Sequence, residues 1–324
     1  IDLIRSFGIP GPHEEGWYLS NVLVLGATGM LGKMCSLVLN NHEDLNVTGS
    51  FNNKEGSSLL LDKKINMVKF DALNDNLKEV IDKVKPEYII NCIGKIKPVI
   101  DEEDPLSVSQ ARHINAAFPK HMEEVSSLNN IRVIQIGTDC VFSGEKGSYS
   151  VEDNHDAVDI YGITKSEGEQ DSGNKMLIRT SIIGPEITPG RSLLNWFLEL
   201  EAGSRVNGFK NHMWNGITTL AFAKVARGLI TSNSYNPYVV HLTPKDMVTK
   251  YDLLIFFRES FKREDIKISP TDAELVVDRT LLPSSNKQND DLWKMGGYEE
   301  SPTISDLVKE LSSSVYTETI LEGH

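Results

Sequence analysis

Between the apolar run Val22-Leu23-Val24-Leu25 and an apolar helical pattern over 30–39 stand three glycines at intervals of three, in Gly26-Ala27-Thr28-Gly29-Met30-Leu31-Gly32. A strand, a glycine turn and a helix in that order constrain the fold more than any other stretch, because such units join parallel strands through covering helices. The first half of the chain keeps this rhythm. Strands are expected over 45–51, 67–70, 88–93, 131–136 and 176–178, with helices over 77–84, closed by Pro86, and over 107–128. Strands and helices alternating at this spacing imply an α/β architecture, a Rossmann-type doubly wound parallel sheet.

Beyond Gly184 the rhythm changes. Pro185, Pro189 and Gly190 punctuate a loop, and 193–200 reads as a helix carrying Trp196 and Phe197. Residues 238–242 read as a late strand that rejoins the sheet. The expected division is a dinucleotide-binding domain over 21–183 and about 216–246, with a smaller, discontinuous substrate domain over about 184–215 and 247–321. Residues 1–20 lack the basic start and apolar block of a secretory signal and read as an extension partly added to the native chain; 322–324 read as the start of a purification tag.

Composition narrows the partners. The net charge of −13 argues against nucleic acid. The longest apolar candidate, from Tyr251 to Phe257, is cut by Arg258 and Glu259, so no membrane insertion is expected. Three scattered cysteines, Cys35, Cys92 and Cys140, make neither a disulfide scaffold nor a zinc site, which fits the cytoplasm. His113, His121, His155 and His241 have no metal-ligand spacing; an isolated structural role is expected for each, and no metal.

Glycine in the first turn lets the backbone approach a pyrophosphate, whose charge the free amides and dipole of the next helix then meet. Gly26, Thr28, Gly29, Met30, Leu31 and Gly32 are therefore candidate cofactor contacts. A unit that selects NAD presents an acid about 20 residues on, at the end of the second strand. Here that strand ends Ser50-Phe51-Asn52-Asn53-Lys54. With no carboxylate to repel a 2′-phosphate, and Ser50, Asn52, Asn53 and Lys54 as donors, NADP(H) is expected and NAD(H) is the alternative.

Tyr161-Gly162-Ile163-Thr164-Lys165 places a phenol and an ammonium at i and i+4, on one face of a helix. Thr138 follows the strand over 131–136 at the sheet edge where ligands of this fold bind. A hydroxyl, a phenol and an amine then converge on one carbonyl. Lowering a tyrosine pKa from about 10 to near 7 takes about 4 kcal/mol, which a lysine charge at about 4 Å supplies when the effective dielectric is about 20.

Gly26-x-x-Gly29-x-x-Gly32, Thr138 and Tyr161-x-x-x-Lys165 together resemble the extended short-chain dehydrogenase/reductase family. Thr138-Asp139-Cys140-Val141-Phe142-Ser143-Gly144, Tyr149, Glu152-Asp153, the run Tyr161 to Glu169, Leu177-Ile178-Arg179-Thr180-Ser181 and Asn215-Gly216-Ile217-Thr218-Thr219 look like its dTDP-4-dehydrorhamnose reductase-like, sugar-nucleotide reductase branch. The resemblance implies hydride transfer from a nicotinamide to the keto carbon of a nucleotide-linked 4-keto-6-deoxy sugar, for cell-surface polysaccharide. It implies that Tyr161 donates the proton, that Lys165 holds the nicotinamide ribose and lowers the tyrosine pKa, and that Thr138 hydrogen-bonds the carbonyl. Asn115 matches a helix asparagine that supports a proton-relay water. Asp71 and Ala72 match the adenine-contacting position, and Cys92, Ile93 and Gly94 the loop beside the cofactor. Read from the residues alone, Asp71 is equally a helix N-cap, and Cys92 and Ile93 strand core. Relatives often pair through helices of the cofactor domain, so a homodimer is a further implication. Gly137 departs from the serine usual in relatives.

Three alternatives stand beside this reading. A dehydratase needs adjacent Asp and Glu after the threonine, and Asp139 is followed by Cys140, which disfavours dehydration. Cys140 sits where GDP-fucose synthase carries an acid/base cysteine, with His212 as a partner, which leaves a combined epimerase/reductase open. A non-catalytic NADP-binding regulatory subunit, like that of methionine adenosyltransferase, is the third. For the sugar nucleotide the candidates are Cys140, Trp196, Lys210, Trp214 and Arg279, aromatics to stack on the base and cations to meet the diphosphate; core aromatics and surface cations are the bland alternative.

Overall fold

The computed structural model describes residues 19–53, 57–169, 175–186 and 192–323; Lys54, His324 and nearly all of the N-terminal extension lie outside them. Apolar alternation builds β1 (Ser20–Leu25), β2 (Leu45–Phe51), β3 (Asn66–Lys69), β4 (Tyr88–Asn91), β5 (Arg132–Gly137) and β6 (Lys175–Arg179). The chain then leaves the sheet through β7 (Ile182–Ile183), β8 (Arg205–Phe209), β9 (His212–Trp214) and β10 (Ile217–Thr218), and returns with β11 (Val239–His241). The order β3-β2-β1-β4-β5-β6-β11 is parallel throughout and reverses direction between β1 and β4. Ligands of open α/β sheets bind at the carboxyl ends of the strands beside such a reversal.

Helices cover both faces: α1 (Met30–Asn40), α2 (Ser58–Asp62), α3 (Leu77–Val84), α4 (Pro105–Arg112), α5 (Phe118–Leu128), α6 (Ile160–Glu169), α7 (Leu193–Leu198), α8 (Thr219–Thr231) and α9 (Lys250–Ser260). Successive β1 residues point to opposite sides. Val22 and Val24 enter one core with Met34 and Val38 of α1 and Phe222, Val225 and Leu229 of α8. Leu23 and Leu25 enter the other with Leu77, Ile81, Phe118 and Met122. Each such side chain stabilises the fold by about 1.5–3 kcal/mol when fully buried.

The single helix expected over 107–128 is three pieces. It starts earlier, at Pro105, capped by Asp104, whose carboxylate accepts the amides of Leu106 and Ser107. A π-helical turn, His113–Ala117, then separates α4 from α5. Pro119 lacks the N–H that would bind the Asn115 carbonyl in a regular helix, so the ladder opens there. Gly168 of α6 packs onto that carbonyl so closely that a methyl group would stand 2.0 Å from it.

The remaining strands make small sheets. β12 (Val248–Thr249), β9 and β14 (Val277–Asp278) form one, and β8 with β13 (Lys267–Thr271) another. The segment following β14 is stitched to the rest. Tyr149 N donates to Thr280 O at 2.8 Å, Leu282 N to Tyr149 O at 2.7 Å, and Asn215 exchanges two bonds with the Leu281 backbone. Among the described residues no helix is long and apolar enough to cross a membrane.

Candidate active site

The loops after β1 to β5 share one edge of the sheet. Gly26, at φ +75°, turns the chain, and Gly32 lies so close beneath it that a methyl group would approach the Gly26 carbonyl to 2.1 Å. Gly29 caps α1 without a side-chain hydrogen bond, and no acid stands in the first helical turn. The helix therefore presents amides and the positive end of its dipole toward the turn, which suits a pyrophosphate.

Ser50 differs from its expected role. It is buried, and its hydroxyl accepts the Gly26 amide at 2.9 Å, so it braces the glycine turn instead of facing a 2′-phosphate. Asn52 and Asn53 are exposed at the end of β2, where no carboxylate stands among the described residues, and Lys54 lies outside them. Asp71 is not the cap of α3, which is Asn76. Its carboxylate instead accepts Leu73 N at 2.9 Å and the Asn74 amide at 2.9 Å, shaping the loop after β3 next to Ala72. Cys92 and Ile93 continue β4 beside Gly26. Gly94 leads to Lys95, whose backbone pairs with Asn115: N donates to Oδ1 at 2.9 Å and O accepts from Nδ2 at 2.9 Å. The Asn115 amide also reaches Thr164 Oγ1 at 3.0 Å, tying α6 to the loop.

Asp159 caps α6 through the Gly162 amide at 2.8 Å, aiming Tyr161 and Lys165 at the end of β5. Thr138 is buried there; its hydroxyl accepts Cys140 N at 3.2 Å and lies 3.3 Å from Asp139 Oδ1. The Tyr161 phenol is within hydrogen-bonding reach of Thr138. Lys165 Nζ donates to Ile136 O at 3.3 Å, and burial lowers the ammonium below its ordinary range. The expectation that Lys165 lowers the tyrosine is not met in the protein by itself. Burial, with Cys140, Asp139 and Glu169 adding, pushes the phenol up, which keeps it protonated at neutral pH.

Around this trio burial also raises Asp139, against the pull of Arg279 and Lys250. It pushes the Cys140 thiol up to about 12, with the Asp139 charge adding, so the sulfur stays a thiol and is a poor base. His212 turns instead to Leu275 O at 3.0 Å. Arg279 is anchored through Nε to Phe142 O at 2.8 Å. Trp214 is buried, its indole N–H donates to Ser181 Oγ at 2.9 Å, and its ring packs under Lys250 Nζ at 5.2 Å; it is a wall, not an open stacking platform. Trp196 is exposed on α7, and Lys210 is an exposed partner of Asp272 at 3.7 Å.

Lys250 was missed because its Tyr251–Phe257 neighbours read as a plain apolar run. Burial lowers its ammonium to about 8, with Asp139 opposing. A second group was also missed. Glu169 Oε2 accepts Arg179 Nε at 3.1 Å and Nη2 at 2.5 Å, while the same guanidinium meets His241 Nε2 at 2.7 Å and His155 Nε2 at 2.9 Å. His155 and His241 are thus joined, not isolated as expected; the signal was Glu169 four residues beyond Lys165, on the same face.

A parallel doubly wound sheet, a glycine turn after β1 and a hydroxyl, phenol and ammonium gathered at β5 define an NAD(P)-dependent oxidoreductase of the extended short-chain dehydrogenase/reductase class. The chain belongs to the family described as "RmlD substrate binding domain", whose model matches residues 20–311. It is similar to a dTDP-4-dehydrorhamnose reductase of Aggregatibacter actinomycetemcomitans, 25% identical over 248 residues, 73% of this chain and 78% of that one. Methionine adenosyltransferase 2 subunit beta of Danio rerio is 29% identical over 171 residues, 51% of this chain and 48% of that one. The crystal structure of dTDP-4-dehydrorhamnose reductase from Bacillus anthracis in complex with NADP superposes with a TM-score of 0.66 at 17% identity, covering 90% of this chain and 98% of that one.

Proposed function

We propose that the chain is an NADPH-preferring reductase of a nucleotide-linked 4-keto-6-deoxy sugar, NADH being the weaker cofactor, working in the cytoplasm toward a cell-surface polysaccharide. The observation that carries this reading is the convergence of Thr138, Tyr161 and Lys165 at the carboxyl end of β5, beside the glycine turn. The NADP of the B. anthracis relative supports the cofactor, as does the absence of a carboxylate at the end of β2 among the described residues.

The residues present suit the cofactor. Gly26, Thr28, Gly29, Met30, Leu31 and Gly32 would hold the pyrophosphate, Asn52 and Asn53 with Lys54 the 2′-phosphate, Asp71 and Ala72 the adenine, and Cys92, Ile93 and Gly94 the near side of the nicotinamide ribose. When bound, the nicotinamide supplies a hydride. Thr138 turns its hydroxyl to the keto oxygen and orients it. Tyr161, kept protonated by burial, delivers its proton to that oxygen as the C=O π bond gives way to a C–H and an O–H bond. Lys165 holds the ribose, and Asn115 fixes the loop and α6 together around a proton path. Residues 21–183 and 216–246 would carry the cofactor, and 184–215 and 247–321 the sugar nucleotide, with Cys140, Trp196, Lys210, Arg279 and the Trp214 wall lining it. Pairing of two copies through cofactor-domain helices belongs to the same reading.

A second reading is favoured by the similarity to methionine adenosyltransferase 2 subunit beta: a non-catalytic NADP-binding subunit. One assay separates the two. NADPH and NADH oxidation is followed at 340 nm against dTDP-, UDP- and GDP-4-keto-6-deoxy sugars, wild type beside Tyr161→Phe. The expected result is turnover with one nucleotide class, reduced about 100-fold or more in the variant. Tight NADPH binding with no turnover on any sugar would instead support the subunit reading.

A further inference from the structure

Tyr161, Lys165 and Glu169 stand at i, i+4 and i+8 of α6, a single stripe facing the end of β5. Glu169 is buried, and its two oxygens have different surroundings. Oε2 takes two bonds from Arg179, whereas Oε1 has no hydrogen-bond partner among the described residues. That free oxygen points at β5 where a side chain is missing. A methyl group on Gly137 would stand 3.0 Å from it and 2.9 Å from Leu177 Cδ2. The residue before Gly137 supplies the carbonyl that holds Lys165 Nζ.

Among the described residues, the groups that act most on Lys165 are Glu169 from its own helix, Lys175 from β6, Cys140 from the turn after β5 and Cys92 from the loop after β4; Glu169 is the carboxylate of this set. Tyr161 is faced by Thr138, Asp139, Cys140 and Glu169. Arg179, on the far side of Glu169, meets His155 and His241. A buried ammonium loses its proton readily unless a counter-charge stands near.

We propose that Glu169 is a positioning residue for the reduction, the buried counter-charge that keeps the Lys165 ammonium charged while the Ile136 carbonyl holds it, and that Gly137 is the gap in β5 that admits it. This rests on the reading that Lys165 and Tyr161 serve the reduction. The sign is the same for both members of the pair. Removing the Glu169 charge lets Lys165 release its proton at lower pH and also lets the phenol ionise at lower pH, so the alkaline limb of the reaction moves down.

The test follows Lys165 directly, by titrating the 13C-labelled lysine Cε signal in the full chain, alongside the pH profile of kcat/KM. Wild type is compared with Glu169→Gln and with Glu169→Gln/Arg179→Gln, the second removing the buried Arg179 charge that the first leaves without its carboxylate. The expected result is a lower Lys165 midpoint in Glu169→Gln, with kcat/KM falling roughly tenfold more at pH 9 than at pH 6.5, and a smaller drop in the double variant, where loss of the Arg179 charge acts in the opposite sense. An unchanged midpoint in Glu169→Gln with wild-type circular dichroism, or one that moves only in step with loss of Arg179, would make Glu169 a tie for Arg179 alone and overturn the proposal. If the wild type reduces no sugar nucleotide, the reductase reading fails, while the lysine titration still decides the role of Glu169.

Discussion

Gly32 and Ser50 hold the first turn from opposite sides, one by having no side chain and the other by accepting the Gly26 amide. Gly32→Ala should push the turn off α1, lower stability by about 1–3 kcal/mol and weaken NADPH binding, read by thermal melting and fluorescence titration. Intact NADPH affinity in that variant would contradict the role given to the turn. His241 makes a pH prediction. Burial, with the Arg179 charge adding, lowers it to about 4, against about 6.5 for an unfolded imidazole. As pH falls the unfolded chain takes this proton first, so the stabilisation is whole above pH 6.5 and drains away toward pH 4, about 3 kcal/mol in all. His155, also lowered by burial, acts in the same direction. Melting temperature should fall across that window, and His241→Gln should flatten the slope. The glycine turn, Thr138, Tyr161 and Lys165 were legible because spacing along a few residues defines them. Ser50 and Trp214 were misread because sequence tells that a group can bond, not that a buried amide or Ser181 already engages it.

At the level of elements, the π-helical turn between α4 and α5 departs most from expectation. Apolar periodicity over 107–128 carries straight through it, and only Pro119 marks the place where the ladder opens. The turn presents Asn115 to Lys95 and Thr164 at once. Asn115→Ala should therefore cost about 2–4 kcal/mol, three bonds at roughly 1 kcal/mol each, and loosen α6 against the loop after β4. Faster amide exchange at Lys95 in this variant is the measurement, and unchanged protection there would remove the brace. The parallel, doubly wound class was implied by the alternation of elements, whereas the pairings β7 with β10 and β12 with β9 were not. Strands of two or three residues carry too little periodicity to announce themselves.

The whole molecule is not two beads on a string. α8, from beyond β10, packs on α1 in the core that holds Val22 and Val24, and β11 closes the sheet beside β6. A fragment ending at residue 186 would expose Met34 and Val38 and should aggregate, while co-expression with the remainder should rescue it. A soluble, monomeric fragment would refute that dependence. The stitching of 280–282 to Tyr149 and Asn215 reaches further. Arg279, proposed to meet the substrate, rides on the same strap as the turn that begins at Thr138, since it also holds Phe142 O. On the proposed reading, mutational drift at Arg279 that retunes which sugar is accepted would therefore disturb the turn that carries Thr138 as well. Such a chain resists having its specificity exchanged as a cassette; new preferences would be expected to arise by paired changes on both sides of the strap, each one unfit without the other.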